Sequence, residues 1–195
     1  MNAIPFDTTT ELKSLGVTLK LLERSDFSAF LKLQRPQSMW RYFTQDLSID
    51  SELLLWLNNA IQAWNERQRV PFSIKVDNKI VGSTSLGNYS IRDNRIEIGW
   101  TWIAPGHQGK GANDRSKFLL CEYVFESLNI QRVEIKTDVT NTFSCAALDR
   151  MGFVPEGVLR SHTQVTFGRR RDSIYYSLLR PEWSHFQDNF KSRFQ

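Results

Sequence analysis

The sequence predicts one α/β (α+β) domain, a mixed sheet with helices on its faces. Three observations lead there. The chain has 195 residues, 41% of them hydrophobic and 24% charged, enough for one real core and short for two. Its apolar periodicity switches repeatedly between the helical 3.6 and the extended 2. A glycine-rich elbow, "APGHQGKGAND" (104–114), joins a strand pattern to a helix pattern.

Along the chain, "GVTLKLLE" (16–23) alternates as a first strand. Ser25 is placed to cap a helix over 26–34, which Pro36 stops. Leu53, Leu57, Ala60, Ile61 and Trp64 recur at helical spacing and predict an amphipathic helix over 50–68. "PFSIKV" (71–76) and "KIVGSTSL" (79–86) flank Asp77-Asn78, a pair that tolerates the positive φ of a hairpin turn. A polar loop (87–94) leads to the strand "RIEIGWTWI" (95–103). Strict alternation there puts Ile96, Ile98, Trp100 and Trp102 on a core face, and Glu97, Gly99 and Thr101 on the other. Beyond the elbow, Phe118, Cys121, Phe125 and Leu128 share one face of a helix over 113–128. A strand (131–139), a short helix (141–152) closed by Gly152, two strands (153–160 and 171–179) and a terminal helix after Pro181 complete the order. No repeat, linker or low-complexity segment divides residues 1–195.

Several function classes drop out. Apolar runs such as "LLLWL" (53–57) are too short to cross a bilayer, and the opening residues lack the basic-then-apolar pattern of a secretory signal. A cytoplasmic location is expected. Cys121 and Cys145 have neither metal-ligand spacing nor scaffold density, so no metal is expected. The net charge of +4 and the triplet in "GRRRD" (168–172) read as a solvated face rather than a phosphate-tracking stripe. Nucleic acid is therefore not the expected partner, whereas a small anionic ligand would account for the surplus equally well.

The elbow supplies a place for such an anion. The first N–H groups of a helix have no internal partners, and the helix dipole makes that end positive. Gly109 and Gly111 bare the backbone, and Lys110 adds charge at the rim. Main-chain binding of a phosphate or pyrophosphate fits, although plain connectors of this composition are common. Two known phosphate motifs are excluded, because Lys110 is followed by Gly111 rather than Ser or Thr, and position 114 is Asp rather than Gly. What remains is Gln108-x-x-Gly111-x-Asn113.

The runs "EIGWTWIAPGHQGKGAN", "TDVTNTFSCAALDRMGFVPEGVLRSH" and "GRRRDSIYYSLLRPEW", in this order and spacing, resemble the GNAT acetyltransferases. Within that family they resemble the branch of ribosomal-protein N-terminal acetyltransferases (RimJ/RimL-like), over about Val17 to Trp183. The resemblance implies a mostly antiparallel sheet whose parallel central strands, 95–103 and 131–139, splay apart to admit the pantetheine arm of acetyl-CoA. It implies that residues 108–113 (Gln108, Gly109, Lys110, Gly111, Ala112 and Asn113) hold the pyrophosphate. A main-chain N–H near Trp102 or Ile103 would polarise the thioester, and Asn141 would hydrogen-bond the cosubstrate.

Catalytic roles follow by the same resemblance: Glu97 as general base, Ser144 as general acid for the departing thiolate, and direct transfer without a Cys145 acyl-enzyme. Read from the residues alone, Glu97 fits a cross-strand ion pair equally well, and Asn141 and Ser144 fit helix capping. Asn113 stands where the family carries Gly or Ala; it either keeps the loop in shape or crowds the pyrophosphate. The expected acceptor is a primary amine, on a protein N-terminus or a small molecule, in a site shaped by residues 26–68 and 87–94. Asp46 and Asp93 could attract it, or are exposed loop charges. The expected assembly is a monomer or homodimer. The alternative is a binding domain of this fold, for CoA or RNA, without chemistry.

Overall fold

The computed structural model describes residues 5, 6 and 11–193. The strands are β1 (Leu12–Ser14), β2 (Val17–Leu21), β3 (Arg69–Val76), β4 (Lys79–Ser90), β5 (Arg95–Ile103), β6 (Arg132–Asp138), β7 (Val154–Gln164) and β8 (Arg170–Leu179). They form one sheet in the order β1-β2-β3-β4-β5-β6-β8-β7, antiparallel throughout except for β5 with β6. The helices are α1 (Phe27–Leu31), α2 (Asp50–Asn65), α3 (Ala112–Glu122, continued by a π turn over Tyr123–Ser127), α4 (Thr142–Met151) and α5 (Trp183–Ser192). No helix among the described residues is long and apolar enough to cross a membrane.

Each face of the sheet buries a separate apolar cluster. Phe72, Leu86, Ile96, Ile98 and Val133 pack on one side against α3 and α5, where Phe118 and Phe190 stack at 4.4 Å. On the other side Phe30, Trp40, Leu53, Trp56, Leu57 and Trp102 form an aromatic cluster beneath α1 and α2. The 77–78 hairpin forms as expected, with Asp77 at φ 49° and Asn78 at φ 59°. Gly152 closes α4 at φ 98°.

Strand β5 departs from strict alternation. Between the pairs Ser85↔Gly99 and Ser83↔Trp102, β4 advances two residues while β5 advances three. The extra residue is a bulge at Trp100, which takes a left-handed φ of 53°. The alternation therefore inverts beyond it. Ile96 and Ile98 are buried as expected, but Trp100 is 36% exposed and Trp102 joins the aromatic cluster on the opposite face.

Smaller departures have local causes. Ser25 does not cap α1; Asp26 accepts from the Glu23 N–H at 3.1 Å and from the Ser73 hydroxyl, and a 3-10 turn (Arg24–Asp26) leads into a helix that ends at Leu31. Strand β4 runs on to Ser90, so the polar loop is shorter than 87–94. The short β1 was not anticipated.

Strands β5 and β6 pair only at Arg95↔Arg132, Ile96↔Val133 and Glu97↔Glu134, then part. β5 continues along β4 and β6 along β8, which gives the expected splay. Gly82 holds β4 close to the end of β5: a Cβ there would lie 2.1 Å from the Trp102 carbonyl oxygen and 3.0 Å from the Ile103 Cα. Replacing Gly82 with Ala is expected to destabilise the fold by about 2 kcal/mol or more, because backbone rather than a flexible side chain must move. Urea unfolding measures this, and an unchanged midpoint would contradict the packing described.

Candidate active site

The loop after β5 is braced from within. The Gln108 side-chain amide donates to the Ile103 carbonyl at 2.8 Å, and the Lys110 ammonium donates to the Gly106 carbonyl at 2.7 Å. Gly109 and Gly111 adopt φ of 71° and 81°, left-handed values that glycine takes without strain. Gly111 is the N-cap of α3, and the first bond of that helix runs from the Arg115 N–H to the Gly111 carbonyl at 3.0 Å. Among the described residues, nothing accepts from the main-chain N–H groups of Gly109, Lys110 or Gly111. A Cβ at Gly109 would meet no atom within 4 Å. Unpartnered amides at a positive helix end, with room beside Gly109, are an arrangement suited to a diphosphate.

Asn113 lies inside the helix, and its side chain turns along it. Its amide oxygen accepts from the Lys117 ammonium, and its NH2 donates to Asp114 at 3.3 Å. It neither caps the helix nor occupies the loop, while Ala112 packs into the core. Burial drives the Lys117 ammonium down from its ordinary 10.5 to about 8, against the opposing pull of Asp114 and Cys121. Asp114 also holds Arg150 at 2.8 Å.

Across the splay, α4 begins at Asn141, whose side-chain oxygen accepts from the Ser144 N–H at 3.2 Å. Capping is thus present, and it fixes the Asn141 side chain and the main chain of Ser144 at the start of α4. The Ala104 N–H donates to the Val81 carbonyl at 2.8 Å. By alternation the main chain of Trp102 also faces β4, and that of Ile103 faces the splay. Of the two N–H groups expected near the thioester, only that of Ile103 is turned toward the gap.

Glu97 sits where the strands part and is 5% exposed. The cross-strand ion pair is real: Lys136 donates to its Oε2 at 2.7 Å, and Asn88 to the same oxygen at 2.8 Å. The other oxygen reaches back over Gly99, where a Cβ would lie 3.0 Å from it. One carboxylate oxygen is anchored, and the other lies over the only side-chain-free position of the strand.

The place of Asp138 in the cleft was not legible beforehand. Asp138 is fully buried; burial pushes its carboxyl up, but hydrogen bonds from Arg169 (2.5 Å) and Thr140 outweigh this and hold it low. His162 shares the Ser173 hydroxyl (3.0 Å) with Arg171 (2.9 Å), and its ring lies 5.8 Å from Tyr175. Residues 40–43 cross above this wall. The Tyr42 hydroxyl donates to the Thr140 carbonyl at 3.3 Å, Thr166 donates to the Trp40 and Phe43 carbonyls, and Arg171 to that of Tyr42. Of the arginine triplet, Arg169 and Arg171 hold the 41–42 segment, while Arg170 stays exposed and bonds Ser161. Asp46 and Asp93 are local loop acids, held by Ser48 and by Ser90 respectively. Burial pushes the Cys145 thiol up, and its sulfur lies 3.8 Å from the Asp138 carbonyl. A larger cavity of about 300 Å³, lined by Met151, Leu178, His185 and Phe186, holds none of these groups.

Residues 17–154 match the family model described as an acetyltransferase (GNAT) domain, well over half of the chain. The chain belongs to the GNAT acetyltransferases. Like the family, it is an N-acetyltransferase that uses acetyl-CoA. The "Putative ribosomal N-acetyltransferase YdaF" of Bacillus subtilis is 31% identical over 86% of this chain and 93% of its own length, in line with the expected branch. The spermidine N(1)-acetyltransferase of Escherichia coli is 28% identical over 82% of this chain and 83% of its own. A GCN5-related N-acetyltransferase structure from Brucella melitensis superposes with a TM-score of 0.86 at 23% identity, covering 100% of this chain and 90% of its own, which establishes the shared fold.

Lys117 gives a pH signature for this GNAT domain. Its folded pKa is depressed, so between pH 8 and 10.5 the unfolded chain binds the extra proton and stability rises with pH. A Lys117→Met variant is expected to gain most over the wild type below about pH 7, the gain shrinking as pH climbs through that window. Chemical unfolding across pH tests this, and a pH-independent offset would contradict it.

Proposed function

We propose that the chain transfers the acetyl group to a primary amine held beside the thioester, by direct attack, with Glu97 as general base and Ser144 as general acid. The observation that carries this reading is the parting of β5 and β6 immediately beyond Glu97, with two helix N-termini at the mouth of the gap. When bound there, acetyl-CoA supplies an acetyl thioester and leaves as the thiol.

The chain's own groups divide the remaining work. The unpartnered amides of residues 109–111 and the first N–H groups of α3 hold the diphosphate, with Gln108 bracing the loop. Lys110, drawn to the Gly106 carbonyl, contributes its field rather than a contact. Asn141 uses its oxygen as the cap and has its NH2 left for the cosubstrate. The Ile103 N–H donates to the acyl carbonyl oxygen as negative charge develops on it.

Glu97 accepts the proton of the attacking amine through its oxygen over Gly99, by way of a water molecule, since the carboxylate is almost wholly covered. Lys136 and Asn88 fix its orientation meanwhile. The Ser144 hydroxyl, in the first turn of α4, returns a proton to the departing sulfur, whose charge the helix end also favours. Cys145 takes no covalent part: burial pushes its thiol up, away from the nucleophilic thiolate. The acceptor enters under residues 40–43, from the face that carries Glu97, as a peptide N-terminus or a small amine.

Glu97→Gln keeps the shape and both anchoring partners but cannot take a proton. Turnover is expected to fall by about 100-fold or more, with CoA affinity by calorimetry unchanged. Wild-type turnover in this variant would remove Glu97 from the mechanism.

A further inference from the structure

We propose that the acceptor carries a carboxylate close to the amine that is acetylated, and that Arg69 binds it. The inference rests on amine transfer at Glu97 and names the class of amine. Arg69 pairs in register with Gly87, and Gly87 with Glu97. The side chains of Arg69 and Glu97 therefore leave the same face of the sheet two strands apart, about 10 Å between Cα atoms.

The bulge in β5 connects the two. It turns the Trp100 ring onto Gly87, where a Cβ would lie 2.7 Å from the ring. The Arg69 guanidinium lies 5.0 Å from the centroid of that same ring. Trp100 thus lies over the register position between Arg69 and Glu97, and it lines a small cavity of about 30 Å³ with Phe43, Trp56 and Trp102.

Among the described residues Arg69 has no carboxylate partner, whereas Arg35, Arg95, Arg132, Arg150 and Arg169 each hold one. Its Nε is buried without a hydrogen-bond partner. Burial, with no acid to offset it, brings its pKa down to about 10. A cation half withdrawn from water without a counter-ion is costly, and a ligand anion relieves the cost. On the opposite wall Arg171 bonds Ser173 and the Tyr42 carbonyl, again with no carboxylate in contact. The two acids of the cleft, Glu97 and Asp138, are already taken by Lys136 and Arg169.

The walls of the cleft therefore carry surplus positive charge on both sides. An anionic group next to the amine is attracted, and a polycation such as spermidine is repelled. Two sources supply that chemistry: an acidic side chain in the first residues of a polypeptide, or the α-carboxylate of a free amino acid.

The test compares acetylation of peptides that begin Ala-Glu, Ala-Gln and Ala-Lys, of free alanine and alaninamide, and of spermidine. Wild type, Arg69→Gln and Arg69→Lys are assayed, with CoA binding to each followed by calorimetry. Wild type is expected to favour the carboxylate-bearing member of a matched pair by at least about tenfold in kcat/KM, mainly through KM. Arg69→Gln is expected to lose that preference and Arg69→Lys to recover part of it, CoA binding being unaltered in both. The peptide and amino-acid pairs tell the two sources apart. Equal rates for acidic, neutral and cationic acceptors, or a preference that survives Arg69→Gln, would overturn the inference and leave amine transfer standing. If the wild type binds CoA but acetylates nothing, the transfer reading falls and this inference with it.

Discussion

The fold is organised around a pair of neighbouring strands that stop bonding to each other. Parallel strands in the middle of a buried sheet ordinarily satisfy every main-chain group, and leaving several open costs a few kcal/mol. Here β5 and β6 bond for three register positions and then diverge, each retained by its outer neighbour. A gap lined by main-chain donors and acceptors is the template for a ligand that is itself amide-rich. The helices that follow both strands start at the mouth of the gap, so their positive ends converge on it.

The two faces of the sheet are then free to differ. One is dry, filled by α3 and α5. The other is dry only where α1 and α2 cover it, and beyond Trp102 it turns polar, with Glu97, Lys136, Asp138, His162 and Arg171 gathered beneath residues 40–43. The bulge at Trp100 makes this division possible, since it sends Trp102 to the aromatic cluster while Ile103 returns to the main core. A single extra residue thus settles where packing ends and the cleft begins.

Much of the fold was legible because it rests on local rules. The hairpin turn at Asp77-Asn78, the Gly152 cap, the Asn141 cap and the strand–elbow–helix unit each follow from residue chemistry within a few positions. The bulge was not, because a period-2 reading assumes an unbroken pleat and nothing within "GWTW" marks the extra residue. Lys136 and Arg69 were missed for another reason. Their relation to Glu97 depends on the register of strands far apart in sequence, and Arg69 reads locally as the polar tail of a helix, "NERQR". The Asn113–Lys117 pair lies at i, i+4 and could have been found, which would have shown at once that the asparagine points away from the loop.

Acetyl-CoA is expected to rest on the unpartnered amides of the elbow and the open edge of β5. Amide chemical shifts measured on isotope-labelled protein during a CoA titration test it most directly. The Gly109, Lys110, Gly111 and Ile103 amides are expected to shift together and saturate at one affinity. Saturable CoA binding with those four resonances unmoved would contradict it.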